Sequence, residues 1–193
     1  MKVVPPSFFK HDAVLVAQKL LGSVIRYKSC SGMIVETEAY RADPASHAYR
    51  ITPRSAIMRD TSGHWYVYFV YGLHYCMNIT TNGIGEPGAV LIRALEPLEG
   101  VELMKKRRGT DDARSLCSGP GKLCEALGVD RRLNGTAVGE RMHVERFRRM
   151  GARSIAATPR IGINEGKEHL WRFFVKGSAF VSKTKQEERS YKK

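Results

Sequence analysis

Met33-Ile34-Val35-Glu36-Thr37-Glu38-Ala39-Tyr40 is dense in β-branched and aromatic residues and is preceded by the polar run Lys28-Ser29-Cys30-Ser31-Gly32. It reads as a strand, entered through a hairpin from a second strand-like run at 23–27. Side chains two apart on a strand share a face. Ile34, Glu36, Glu38 and Tyr40 are therefore expected on one face, and Met33, Val35, Thr37 and Ala39 on the other. Strand geometry sets the two carboxylates roughly 7 Å apart. That spacing suits either a solvated acidic face or a pair of acids with a water between them, as in inverting glycoside hydrolysis.

Outward from this strand, Asp12 is placed to cap a helix over 13–21 and Gly22 to stop it. Periodicity is lost from 41 to 63, where Pro44, Pro53 and several charges predict a long loop. Trp65-Tyr66-Val67-Tyr68-Phe69-Val70 predicts a strand, with a turn at Gly72 and a further strand over 75–80. Residues 89–95 read as a buried strand carrying one charge, Arg93. A helix is expected over 98–108, its last turn holding Lys105, Lys106, Arg107 and Arg108 where cations suit the dipole, and another over 120–127 between Pro120 and Gly128. Strands are expected at 160–163 and 171–176, and a basic, mobile tail at 183–193. The sum is one α+β domain over 1–182 with mainly antiparallel strands.

Charge is the unusual bulk property. The chain of 193 residues carries a formal net charge of +13. Residues 1–100 hold 10 Lys/Arg against 8 Asp/Glu, while 101–193 hold 22 against 11. An excess concentrated in one half points to a polyanionic partner, DNA or RNA first. Cys30, Cys76, Cys117 and Cys124 form no Cys-x-x-Cys pair, which argues against a zinc ribbon or a thioredoxin-like motif. The N-terminal run lacks signal-peptide character and no stretch is apolar enough to span a bilayer. An intracellular protein with reduced thiols, away from membranes, is the expectation.

Arg93 sharpens the reading of the acids. An arginine inside Val90-Leu91-Ile92-Arg93-Ala94-Leu95 needs a buried partner, and Glu36 or Glu38 would serve. The pairing is either structural or a device in which Arg93 and Glu38 hold a water whose proton the carboxylate takes. On the aromatic run, parity puts Tyr66 and Tyr68 on one face and Val67, Phe69 and Tyr71 on the other. Tyr71, at the strand end before Gly72, is placed to project, and on a basic protein such rings stack on bases or wedge between them. His47, His64 and His74 have no metal-ligand spacing, so no metal and no cofactor are expected. Ser118-Gly119-Pro120-Gly121-Lys122 lacks Walker spacing but offers a helix start and a lysine to a phosphate.

Val35-Glu36-Thr37-Glu38-Ala39-Tyr40, Tyr66-Val67-Tyr68 with Tyr71-Gly72, Cys76-Met77-Asn78-Ile79, the run from Leu91 to Gly100 and Leu116-Cys117-Ser118-Gly119-Pro120 occur in this order. Together they make the chain resemble the alkyladenine DNA glycosylase family, the mammalian-type 3-methyladenine DNA glycosylases, from about Ala13 to Ser182. The resemblance implies a curved antiparallel sheet flanked by helices. It implies base-excision repair: a monofunctional hydrolase that flips damaged purines from double-stranded DNA, working as a monomer. By position, Glu38 matches the general base and Arg93 its partner. Tyr40, His47 and Tyr68 match the pocket that sandwiches the base. Asn78 matches the residue that disfavours guanine, Tyr71 the wedge, and Lys122 a contact to the DNA backbone. Such an enzyme would work in the cytoplasm at the nucleoid of a bacterium, or in a eukaryotic nucleus. His74 departs from the mammalian pattern, which carries an aromatic just past the wedge. Two rivals explain less: a non-catalytic nucleic-acid-binding module leaves Glu38 facing Arg93 unexplained, and a hydrolase of free nucleosides leaves the positive charge idle.

Overall fold

The hairpin leading into Met33–Tyr40 is tighter than its polar link suggests. In a computed structural model, which describes residues 2–183, β2 (Val24–Tyr27) and β3 (Cys30–Tyr40) are joined through Lys28 and Ser29 alone. Lys28 takes the left-handed conformation, φ 54°. Before it, β1 is Lys2–Val3, and α1 spans Ala13–Leu20 with the Asp12 carboxylate accepting the Val14 N–H. After it come α2 (Ile57–Asp60), β4 (Trp65–Val70), β5 (His74–Thr80) and β6 (Ala89–Glu99). Then follow α3 (Val101–Arg108), α4 (Pro120–Leu127), β7 (Met142–Arg146), β8 (Ile155–Thr158) and β9 (Arg172–Val175).

Every strand pair is antiparallel, in the order β1-β7-β2-β3-β6-β5-β4, with β9 also on β3 and β8 on β9. The sheet curls into a half-barrel, and the chain is a single α+β domain as expected. The main core packs the sheet against α1 and α4 around Trp65, Leu20, Ile92 and Leu123. All four cysteines are buried and free. Among the described residues no helix is long and apolar enough to cross a membrane.

One irregularity positions the site. In the β3–β6 register Ile34 faces Leu95, Glu36 faces Ala94 and Thr37 faces Ile92, so Val35 and Arg93 are left without opposite residues. Such bulges bend a strand and re-aim its side chains. Here the bulge resets the parity expected for β3. Ile34 shares the main core with Ala39, and the Thr37 hydroxyl donates to the Ala17 carbonyl of α1 at 2.9 Å. Ile34 thus leaves the face of Glu36 and Glu38 and joins the opposite one. At the same place β3 hands one edge from β2, which pairs with 30–33, to β9, which pairs with 36–38.

Other boundaries differ from the sequence reading. β6 runs on to Glu99, so α3 starts at Val101 rather than 98. Gly100 makes the change of direction at φ 70°, where a Cβ would lie 2.4 Å from the Ser29 carbonyl. Residues 160–163 are a turn, not a strand, because the pairing with β9 is made by β8 just before them. The loop over 41–63 contains the short α2. The tail expected at 183–193 falls outside the described residues from 184 onward.

Candidate active site

The two acids of β3 have different surroundings. Both are fully buried. Glu36 accepts from Arg172 Nε at 2.6 Å, from the Ser182 N–H at 2.7 Å and hydroxyl at 2.8 Å, and from Arg93 Nε at 3.2 Å. Three of these four donors share Oε1, and only the Ser182 N–H reaches Oε2. Glu38 accepts from three groups: the Ile161 N–H at 2.7 Å on Oε1, and the Tyr40 hydroxyl at 2.9 Å and Arg93 Nη1 at 3.3 Å on Oε2. Among the described residues one acceptor position of Glu38 is left over. Burial pulls the Arg93 pKa down, but Glu38 and Glu36 together outweigh it and the net shift is upward. Arg93 therefore stays a cation, binding both acids.

Tyr40, Arg93 and Ile161 all line a cavity of about 370 Å³, and Glu38 lies directly behind them. The walls are aromatic. Tyr40 comes from the end of β3, Tyr66 and Tyr68 from β4, His47 from the 41–63 loop. The His47 ring sits edge-on to Tyr68 at 4.6 Å, and its Nδ1 lies 2.9 Å from the Tyr66 hydroxyl. Burial, and after it the charge of Arg54, holds the His47 imidazole below its ordinary pKa. Burial and the neighbouring Glu38 push the Tyr40 hydroxyl well up, so it donates rather than ionises. Burial raises Tyr68 as well. Asn78 on β5 is buried, lines the cavity and donates from Nδ2 to the Tyr66 carbonyl at 3.1 Å. Cys76 joins the wall with its thiol pushed up by burial to about 11, outside the range of a reactive thiolate.

At the mouth, the β4–β5 turn lifts Tyr71 to 89% exposure with φ 54°. A tyrosine in the left-handed region is strained, and this one gains no burial in return. His74 follows on the rim, packed on Gly121, where a Cβ would meet the imidazole at 3.0 Å. Pro120 and Gly121 line the cavity, while Lys122 is the next residue of α4, half-buried and outside the wall. Thus Tyr40, His47, Tyr68, Asn78, Tyr71 and Arg93 converge on one cavity, with Glu38 one layer behind and Lys122 beside it. Among the described residues no cluster of His, Cys, Asp or Glu could hold a metal ion.

Several contributors escaped the sequence reading. Ile161, Gly162 and Ile163 line the cavity from the turn after β8. That turn is clamped by Arg160, which pairs with Asp43 at 2.6 Å, donates to the Ala39 carbonyl and lies over the rings of Tyr40 and Trp171. The succession Pro159-Arg160-Ile161-Gly162 was the signal against a strand. Arg172 and Ser182, which hold Glu36, lie far along the chain in no motif. Arg54 covers Tyr68, its guanidinium carbon 4.9 Å from the ring centre.

The arrangement is a buried carboxylate with a spare acceptor position behind an aromatic-walled cavity. Comparison with known proteins agrees on one family. The family model described as methylpurine-DNA glycosylase matches residues 7–179. A relative from Agrobacterium fabrum is 47% identical over 183 residues, which cover 93% of this chain and 92% of its own. One from Rhodopseudomonas palustris is 47% identical over 177 residues, 91% of this chain and 88% of its own. One from Methanoculleus marisnigri is 44% identical over 189 residues, 93% of this chain and 98% of its own. Each bears the name "Putative 3-methyladenine DNA glycosylase".

Proposed function

The chain belongs to the methylpurine-DNA glycosylase family, and from that premise we propose that it removes damaged purines from duplex DNA by flipping them into the Tyr40–His47–Tyr68 slot and hydrolysing the glycosidic bond with a water activated by Glu38. A glycosidic carbon is out of reach inside a duplex, so the nucleotide must rotate out. The unstacking cost of a few kcal/mol is smallest for damaged or mispaired bases. Tyr71 offsets part of it by filling the gap, and its exposure and strained backbone support that role. The flipped ring stacks on Tyr40 and Tyr68, while Asn78 opposes the exocyclic amine of guanine. Lys122, near the start of α4, holds the DNA backbone.

As the bond breaks, its electron pair leaves with the base and positive charge grows on the sugar. The water oxygen bonds to that carbon and Glu38 takes its proton. The observation that carries this reading is placement: the three donors to Glu38, from Ile161, Tyr40 and Arg93, all line the cavity, whereas of the residues that bind Glu36 only Arg93 does. Glu38 has an acceptor position for a water on Oε1, and Arg93 steadies the carboxylate. Among the described residues no lysine lines the cavity, which supports simple release to an abasic site with the strand intact. A single chain carries every group in the scheme, so the working unit is a monomer, residues 1–182 forming the catalytic domain. Its place in the cell is on chromosomal DNA.

The test is a duplex panel carrying 3-methyladenine, 7-methylguanine, hypoxanthine or ethenoadenine, assayed for abasic sites. Release of at least one base with uncut strands is expected. No release from any of the four, or strand cleavage coupled to release, would overturn the reading.

A further inference from the structure

Arg54 sits where the proposed reaction is sensitive to charge. Its guanidinium carbon lies 4.9 Å from the centre of the Tyr68 ring and Nη2 donates to the Phe69 carbonyl at 3.2 Å. Tyr68 lines the cavity and Arg54 does not, so the cation covers the ring from outside. The deeper cations are matched by acids: Arg93 by Glu36 and Glu38, Arg172 by Glu36, Arg160 by Asp43. Among the described residues Arg54 has no carboxylate partner. It is therefore an unneutralised charge behind one wall of the base slot.

We propose that Arg54 sets the charge preference of the slot, a standing cation behind Tyr68 that narrows the advantage of positively charged bases over neutral ones. The inference rests on the function proposed above and names the group that tunes its substrate range. An electron-rich ring attracts a cationic base. A guanidinium on the far side competes for the same π-density and repels the base directly. With 4.9 Å from guanidinium to ring and a stacking spacing of about 3.5 Å, the two charges are roughly 8 Å apart. Coulomb's law at that distance gives a factor of about 2 with bulk-water screening and about 30 with the screening usual near a protein surface. The downward pull of Arg54 on the His47 imidazole, second to burial, is the same field acting on another slot residue.

Single-turnover release is measured at pH 7.5 from duplexes holding 3-methyladenine, a fixed cation while joined to the sugar, or hypoxanthine, which is neutral. Arg54→Gln is expected to raise the ratio of the two rates between about 2-fold and 30-fold, and Arg54→Lys to hold it at the wild-type value. An NMR titration of the His47 ring, which needs no activity, should show a higher midpoint in Arg54→Gln. The proposal is overturned by a ratio unchanged in Arg54→Gln, as a plain phosphate contact would give, or by Arg54→Lys raising it equally, which would make shape the cause. An unmoved His47 midpoint overturns it too. If the wild type releases neither base, the functional reading itself has failed. Release with an unchanged ratio fails this proposal alone.

Discussion

Replacing Glu38 by glutamine keeps the shape of the side chain and removes the charge, and the surroundings dictate two separate consequences. All three neighbours of Glu38 are donors: the Ile161 N–H, the Tyr40 hydroxyl and Arg93 Nη1. Glutamine has one acceptor oxygen and an NH₂. If the oxygen turns to Ile161, the NH₂ meets Arg93. If it turns to Arg93, the NH₂ meets the Ile161 N–H. One donor is left facing a donor in a fully buried place, and a hydrogen bond to a charged group is lost, a cost of about 2 kcal/mol. For a domain of this size that corresponds to a Tm lower by about 4–8 °C. With Glu38 as the proposed general base, release should slow by about 10²- to 10⁴-fold.

The assay therefore has three readings: Tm, binding to a duplex with an abasic analogue, and single-turnover base release. The expected pattern is a moderately lower Tm, binding close to wild type and release slower by at least about a hundredfold. Release within about tenfold of wild type by a folded variant refutes Glu38 as the base. An unchanged or higher Tm refutes the donor accounting, since it would mean that the buried carboxyl was not serving as an anionic acceptor.

Tyr71→Gly should leave Tm within about 3 °C, because relief of left-handed strain, about 1 kcal/mol, offsets the added freedom of the unfolded chain. It should nonetheless abolish the fluorescence rise of 2-aminopurine placed beside a lesion; a normal rise would exclude the wedge. Asp43→Asn leaves the buried Arg160 guanidinium without its counter-charge and should cost about 3–5 kcal/mol, read by urea unfolding. Burial alone would raise the Asp43 pKa, but Arg160 outweighs it and the net shift is down. The pair's contribution is thus complete above the unfolded value of about 3.9 and is lost as pH falls through the lower folded value. A Tm–pH curve should accordingly have a shallower acid limb in Asp43→Asn than in wild type. DNA affinity should fall steeply between 50 and 200 mM salt as phosphate contacts displace counterions, and a flat response would remove the basic surface from the binding mechanism.

Elements fixed by local chemistry were legible in the sequence. The Asp12 cap, the aromatic strand and the helix between Pro120 and Gly128 lie where their residues require. Some of what was missed had a local signal as well. In β7, Met142 and Val144 are buried while His143 and Glu145 are only partly so, and the same alternation of apolar and polar residues is plain in the sequence. The parity of β3 was different in kind. No residue within Met33–Tyr40 announces a bulge; it exists because Val35 and Arg93 lack partners in a pairing with a strand some sixty residues away. The turn at 160–163 took its role from the Arg160–Asp43 clamp, another contact set by tertiary structure.

The bulge also explains why spacing alone could not separate the two acids. Alternation correctly keeps Glu36 and Glu38 on one face and invites treating them as an equivalent pair about a water. Register breaks the equivalence. Glu36 lies at the break, opposite Ala94 and Phe174, where Arg172 and Ser182 both reach it. Glu38 lies two residues on, where pairing with β6 is regular again and the neighbouring turn supplies a single N–H. An acid held by Arg172 and Ser182, neither of which lines the cavity, serves as a counter-ion there. One whose three donors all line the cavity, with a position spare on Oε1, is the candidate to hold a water. A bulge of one residue on each strand thus divides two acids into a structural counter-ion and a candidate base, with Arg93, the extra residue on β6, shared between them.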